Sequence, residues 1–229
     1  MTVPHHEEMP VRAGYAAWAP WYDADGNPLT ALEEPAMWGR FGPLEGRIAL
    51  DLGCGTGRHT AALARAGATV AALDFTPEMM DIGRAKLRDL PVVWAQHRLP
   101  DPLPFRPDSF DIAVMGLVAE HIEALDSVLA EVLRVVRPGG ACLVSALHPD
   151  RTAEGQRARF IDPETGVRRP IATIHRTLDQ YREIAARAGW AADGEASLVV
   201  PPELAEALPR ARPYVGRPLG WVGRWVKPG

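Results

Sequence analysis

Arg47-Ile48-Ala49-Leu50-Asp51-Leu52-Gly53-Cys54-Gly55-Thr56-Gly57-Arg58-His59 is the stretch that decides the fold. A run that is apolar but for Asp51 ends in three glycines at alternate positions, and residues 59–66 then turn to Ala and Leu, strong helix formers. The pattern predicts a strand, a turn too crowded for side chains, and a helix. Glycines let a backbone take unusual dihedrals and approach a ligand closely. The helix N-terminus offers unpaired N–H groups and a partial positive charge. A ligand site is expected at that turn.

Working outward, Gly67 closes the helix. Residues 68–73 read as a second short strand ending at Asp74, after which Thr76 caps a new helix with Pro77 in its first turn. Residues 92–95 form a third strand and 110–115 a fourth. Helical periodicity returns at Val128, Leu129, Val132, Leu133 and Val136 and stops at the turn signal Arg137-Pro138-Gly139-Gly140. A fifth strand over 141–147 ends at His148-Pro149. Short buried strands alternating with helices predict right-handed crossovers and a parallel sheet. The last third reads differently: a hairpin around 160–167, a helix over 176–188, and two closing strands over 195–200 and 218–226. Trp221 and Trp225 share one face of the last strand and are expected in the core. The fold class is therefore α/β: a Rossmann-like, doubly wound, mostly parallel seven-stranded sheet with an antiparallel closing strand.

Ahead of this sheet, aromatic residues crowd together: Tyr15, Trp18, Trp21, Tyr22 and Trp38. Spacings of three and four suit a helix packing its aromatic face on the core. They equally suit a lid whose rings cover a pocket and recognise an apolar or aromatic ligand. The organisation expected is a lid segment over residues 1–40 and a sheet domain over 41–229, with insertions at about 149–175 and 201–217.

With 229 residues, 47% of them hydrophobic, the chain suits one sizeable domain. A net charge of −4 advertises neither nucleic acid nor an anionic membrane. No apolar run approaches bilayer length, and residues 1–8 lack the basic start and apolar core of a signal peptide. Cys54 and Cys142 have neither metal-ligand nor disulfide-framework spacing. His5-His6 with Glu7-Glu8 reads as a polar terminus rather than a metal site. A cytoplasmic protein without metal, membrane or nucleic-acid partner is expected; the oligomeric state is not legible.

The glycine spacing narrows the ligand. A dinucleotide loop wants Gly-x-Gly-x-x-Gly with a pyrophosphate on the helix N-terminus. Here the spacing is Gly53-x-Gly55-x-Gly57, preceded by Asp51, whose carboxylate repels a pyrophosphate and attracts an ammonium group. Asp74, 17 residues beyond Gly57, is placed to accept hydrogen bonds from ribose hydroxyls. A nucleoside carrying a zwitterionic group fits, and S-adenosylmethionine is one.

Four pieces in order then carry a resemblance: Leu50 to Gly57, Leu73-Asp74-Phe75-Thr76-Pro77-Glu78-Met79-Met80, Leu103 to Asp111, and Leu133-Arg134-Val135-Val136-Arg137-Pro138-Gly139-Gly140. With them the chain resembles the class I S-adenosylmethionine-dependent methyltransferases over about residues 45–147. The resemblance implies that Gly53, Cys54, Gly55 and Gly57 face the methionine portion of the cofactor and Asp51 its ammonium end. It places Asp74 on the ribose and Phe75 and Met79 beside the adenine. His97, Arg98 and Leu99 stand where the family often has an acidic residue near the adenine amino group, and Met115 joins the cofactor-binding set. The substrate pocket is expected from Tyr15, Trp18, Trp21 and Tyr22. Candidate proton-handling groups are His121 after strand 4, His148 after strand 5, and Tyr22 or Tyr15 from the lid. The activity implied is methyl transfer to a small-molecule acceptor, apolar or aromatic; a non-methylating enzyme or a non-catalytic binding protein on the same fold are the rivals.

Overall fold

In the computed structural model, which describes residues 8–229, β1 (Ile48–Leu52) forms where the apolar run predicts it and is buried from Ala49 onward. His5, His6 and Glu7 lie outside the described residues. Strand β1 pairs in parallel with β2 (Thr69–Asp74) on one side and β4 (Phe110–Gly116) on the other. Beyond these lie β3 (Val92–Gln96) and β5 (Val136–Leu147), also parallel. Strand β9 (Pro218–Val226) runs antiparallel to β5, and β8 (Ala191–Val199) antiparallel to β9. The order is β3-β2-β1-β4-β5-β9-β8, so β9 alone opposes the other six. This is the seven-stranded, mostly parallel, Rossmann-like sheet with its antiparallel closing strand. Its winding reverses between β1 and β4, where open α/β sheets bind ligands beyond the carboxyl ends of their strands.

The two faces of the sheet carry separate cores, because successive strand residues point to opposite sides. Leu50 and Leu52 face α5 (Leu125–Val135) and α7 (Leu178–Arg187), together with Met115, Trp221 and Trp225. Ala49, Val70, Val114 and Leu143 face the other way, against Met37 of α2 (Pro28–Trp38) and Leu63 of α3 (Arg58–Arg65). Trp221 stacks on Tyr181 with ring centroids 5.2 Å apart. The one-face reading of the two tryptophans matches their position in a single core.

The aromatic segment is two helices joined by a tighter one: α1 (Val11–Trp18), a 3-10 turn (Ala19–Ala24), then α2. Trp18 sits between Tyr15 and Phe160, stacked on both at 5.8 and 5.6 Å, with Tyr22 edge-on at 4.9 Å. Phe160 belongs to β6 (Arg159–Ile161), which pairs with β7 (Arg168–Pro170). The expected insertion at 149–175 thus holds α6 (Pro149–Ala153) and this hairpin. That at 201–217 holds α8 (Pro202–Ala207) and a 3-10 helix (Pro209–Tyr214).

Two local expectations are corrected. Residues 137–140 do not form a separate turn: β5 starts at Val136, which pairs with Phe110, and a bulge absorbs the Pro-Gly-Gly sequence before Ala141 pairs with Ile112. The Gly139 N–H is satisfied by the Lys227 carbonyl at 2.8 Å. Thr76 does occupy the N-cap of α4 (Pro77–Lys86), but its side chain does not cap the helix. Its own N–H donates instead to Asp74 Oδ1 at 2.8 Å.

Candidate active site

The glycine loop is the floor of a cavity of about 380 Å³, within the range usual for small-molecule sites. Gly53 holds φ +68°, and a Cβ there would lie 2.4 Å from Val118 Cγ2. The loop is therefore crowded at Gly53 by Val118, itself part of the cavity wall. Asp74, at the end of β2, ties the loop down: Oδ2 accepts from Gly55 N at 2.9 Å and Oδ1 from Thr76 N. Burial raises its pKa, and those N–H donors oppose the shift. Each carboxylate oxygen has a lone pair beyond the one so used, available to ligand hydroxyls. Phe75, Met79 and Leu99 add apolar wall beside it. Hydroxyl acceptor, apolar slot and close backbone approach suit an adenosyl group.

Of the residues expected from sequence, Gly53, Cys54, Gly55, Asp74, Phe75, Met79, His97, Arg98 and Leu99 line this cavity, joined by Tyr15, Tyr22 and His121. Asp51, Gly57 and Met115 stand behind the wall. Asp51 is 1% exposed and accepts from Thr60 Oγ1 at 2.6 Å. Gly57 caps α3 at φ +83°, where a Cβ would press on Leu87 and Trp94. Met115 is fully buried in the core. Trp18 borders a second, smaller cavity, whereas Trp21 is exposed and borders neither. His148 also borders neither: its Nδ1 accepts from Asp150 N at 3.3 Å as an N-cap and its Nε2 meets Ser197 Oγ at 3.1 Å. Burial pushes the Cys54 thiol well up, with Asp51 adding to it, so the loop cysteine is no nucleophile at neutral pH.

Tyr15 and His121 meet across the cavity. The Ala172 carbonyl, 2.7 Å from Nδ1, can only accept, so the proton sits on Nδ1 and Nε2 takes the Tyr15 hydroxyl at 2.9 Å. Burial, then the neighbouring Tyr22, raises the Tyr15 pKa well above the ordinary value. Its hydroxyl is a fixed dipole rather than a phenolate.

Several residues of the site carry no local sequence signal. Glu33 of α2 is fully buried and gathers three partners. Its Oε1 accepts from His59 Nε2 at 2.9 Å and Ser145 Oγ at 2.5 Å, and its other oxygen pairs with Arg58. Burial alone would raise its pKa; His59 and Arg58 pull it down to about 2. The cluster clamps α2 to the start of α3 and fixes Arg58 and His59 on the cavity wall. Leu117, after β4, holds φ +59° with its N–H on Ser145 Oγ at 3.0 Å. A non-glycine residue in that region is strained, and such strain gathers at functional sites. Leu117, Tyr15 and Tyr22 are wall to both this cavity and the smaller one, of about 130 Å³.

Comparison with known proteins gives the family and the fold. Residues 50–144 match the family model for a methyltransferase domain. An uncharacterized methyltransferase of Emericella nidulans is 32% identical over 217 residues, covering 77% of this chain and 74% of that protein. A demethylmenaquinone methyltransferase of Clavibacter sepedonicus is 38% identical over 123 residues, 52% of this chain and 50% of its own, so this chain spans about half its length. An S-adenosylmethionine-dependent methyltransferase structure from Mesorhizobium loti superposes with a TM-score of 0.73 at 24% identity, covering 88% of this chain and all of that one, and shows the shared fold. The chain belongs to the class I S-adenosylmethionine-dependent methyltransferases, and its cofactor is S-adenosylmethionine.

Proposed function

We propose that this enzyme methylates a small molecule with an apolar or ring-bearing body, held against the aromatic wall of α1 and the following 3-10 turn. The observation that carries the reading is the shared wall. Tyr15 and Tyr22 border both the adenosyl cavity and the smaller one behind Trp18, so an acceptor in the second meets the cofactor past two aromatic rings. Relatives named for demethylmenaquinone support a ring-bearing acceptor. The bound cofactor supplies a methyl group already activated on a sulfonium. The chain's own residues bind, orient and exclude water, for which alignment is worth several kcal/mol.

In this reading Asp74 holds the ribose, Phe75, Met79 and Leu99 the adenine, with His97 and Arg98 beside it, and the backbone of residues 53–55 the methionine end. Asp51, Gly57 and Met115 act from behind the wall by fixing the loop. Tyr15, whose O–H is donated to His121, keeps its hydroxyl oxygen free to accept from the bound acceptor. Tyr22 packs the acceptor, and Trp18 forms the back of its pocket. A cytoplasmic place belongs to the same reading, supported by two free, buried cysteines. Among the described residues no helix is long and apolar enough to cross a membrane. Methyl-labelled cofactor offered with a panel of small aromatic compounds, total protein and RNA tests the reading. Label on the small compounds is expected. Turnover without movement of label, or label only on macromolecules, would overturn it.

A further inference from the structure

Arg176 is 8% exposed, yet its guanidinium makes no ion pair among the described residues. Its three hydrogen bonds all go to backbone carbonyls: Nη1 donates to Ala119 at 2.9 Å, and Nη2 to Ile122 and, at 3.0 Å, to Glu123. A buried charge without a counter-charge is costly. Arg176 also stands one residue ahead of Thr177, the N-cap of α7, where the helix dipole disfavours a cation. What it holds is the connection after β4. There Ala119–His121 form a 3-10 turn, and Leu117, Val118, His121 and Ile122 line the cavity of about 380 Å³.

Arg176 ends a segment, residues 170–176, that touches both α1 and this connection. On the α1 side, the Met9 N–H donates to the Pro170 carbonyl at 2.8 Å and the Ala172 N–H to the Met9 carbonyl at 3.0 Å. Gly14 rests on Ile171, whose Cγ1 lies 2.7 Å from where a Cβ would stand. On the other side, the Ile174 N–H donates to the Glu120 carbonyl at 2.7 Å, and the Ala172 carbonyl accepts from His121 Nδ1 at 2.7 Å. Tyr15 follows Gly14 directly, and its hydroxyl meets His121 Nε2 at 2.9 Å. One segment thus sets the separation of two cavity-wall groups that lie 106 residues apart in sequence. We propose that residues 170–176 are the brace that aligns Tyr15 with His121, and that Arg176 is the positioning residue pinning the brace to the connection after β4. The brace also fixes the imidazole proton: with Nδ1–H on Ala172, only Nε2 is left for Tyr15. The inference rests on the placement of Tyr15 at the methyl acceptor.

The test reads the His121 tautomer, which a merely structural anchor would leave unchanged. With S-adenosylhomocysteine bound at about pH 8, above the ordinary imidazole pKa, long-range proton–nitrogen NMR correlations of histidine-labelled protein report both ring nitrogens, assigned with His121→Gln. The wild type is expected to carry the proton on Nδ1. Arg176→Ala should raise the ratio of the Nε2–H form to the Nδ1–H form about three- to tenfold, the scale of one hydrogen bond. It should also lower kcat for label transfer to the small compounds about tenfold or more, with KM for S-adenosylmethionine within about threefold. Guanidinium at about 10 mM, far below denaturing concentrations, should restore part of both losses. Arg176→Lys, whose ammonium lacks the planar fork, should not. If Arg176→Ala does not fold, Gly14→Ala serves: it presses α1 off Ile171 while keeping every hydrogen bond of His121 chemically possible, and should shift the tautomer in the same direction. A wild type protonated on Nε2, a variant that loses Tm with the tautomer unmoved, or a shifted tautomer with unaltered kcat would overturn the proposal. Should the wild type label no small compound, the acceptor reading fails, and the tautomer alone still decides whether the brace exists.

Discussion

Replacing Gly53 with alanine loads two separable costs onto the loop. The first is backbone: φ is +68°, and a left-handed residue with a Cβ loses roughly 1–2 kcal/mol. The second is steric. The new Cβ would stand 2.4 and 2.9 Å from the two Val118 methyl carbons and 3.2 Å from its Cβ, so the valine must move as a whole. Its χ1 is stiff, and overpacking of this kind costs about 1–3 kcal/mol. The two together come to about 2–5 kcal/mol. In a domain of this size each kcal/mol lowers Tm by about 2–4 °C. Because Val118 lines the cavity proposed to hold the adenosyl group, its displacement should also weaken cofactor binding at least about tenfold. Thermal unfolding and calorimetric titration with S-adenosylhomocysteine are measured for Gly53→Ala, Val118→Ala and the pair. The pair should recover the steric share and retain the backbone share, a residual drop of about 2–8 °C relative to Val118→Ala. A Gly53→Ala protein with unchanged Tm and affinity would refute the crowding. A pair no better than Gly53→Ala would show that Val118 is not the obstacle.

Glu33 should give the fold a distinct acid sensitivity. Its folded pKa of about 2 against an ordinary 4.5 corresponds to about 3 kcal/mol. That stability is present above pH 4.5 and lost as the pH falls toward 2. Urea unfolding across that window should show the loss in the wild type and not in Glu33→Gln, which is less stable at pH 7 by about 3–5 kcal/mol; parallel pH curves would contradict this. Tyr15→Phe removes the 2.9 Å bond to His121 and should cost about 0.5–1.5 kcal/mol in stability. It should slow label transfer about tenfold, a loss that a purely packing role would not produce. His148→Ala should leave cofactor affinity unchanged, since His148 borders neither cavity, while the lost N-cap lowers stability by about 1 kcal/mol; weakened cofactor binding would count against its placement.

The sheet and the glycine loop that floors the cavity were legible because both are written locally. Apolar runs, three glycines and an acidic residue at a strand end are patterns within a few residues, whereas the hold of Asp74 on the Gly55 N–H, 19 residues apart, is visible only in the structure. The Pro138-Gly139-Gly140 sequence misled because turn chemistry and a strand bulge draw on the same residues; only pairing with Phe110 and Lys227, far along the chain, separates them. Asp51 precedes the glycines as the pattern suggests, but strand geometry turns its carboxylate to Thr60 in α3 rather than to the cavity. Glu33 and Arg176 were invisible. Glu33 meets His59 and Ser145, 26 and 112 residues away, and Arg176 meets the carbonyls of Ala119 and Glu123, 57 and 53 residues away. A sequence records neither fact. The acceptor side proposed above therefore rests on tertiary structure, where α1, the β4–α5 connection and residues 156–159 line one cavity.

Calorimetric titration of the wild type and of Asp74→Asn with S-adenosylmethionine, S-adenosylhomocysteine and NAD addresses the central claim, that the loop from Gly53 to Gly57 and Asp74 hold an adenosyl amino acid. Asp74 accepts from two backbone N–H groups, and an amide there turns one acceptor into a donor facing an N–H, at about 1–3 kcal/mol. Both adenosyl ligands should bind the wild type and lose about tenfold or more in affinity with Asp74→Asn, while NAD does not bind. Binding of NAD in place of the adenosyl ligands, or adenosyl binding indifferent to Asp74→Asn, would contradict the account.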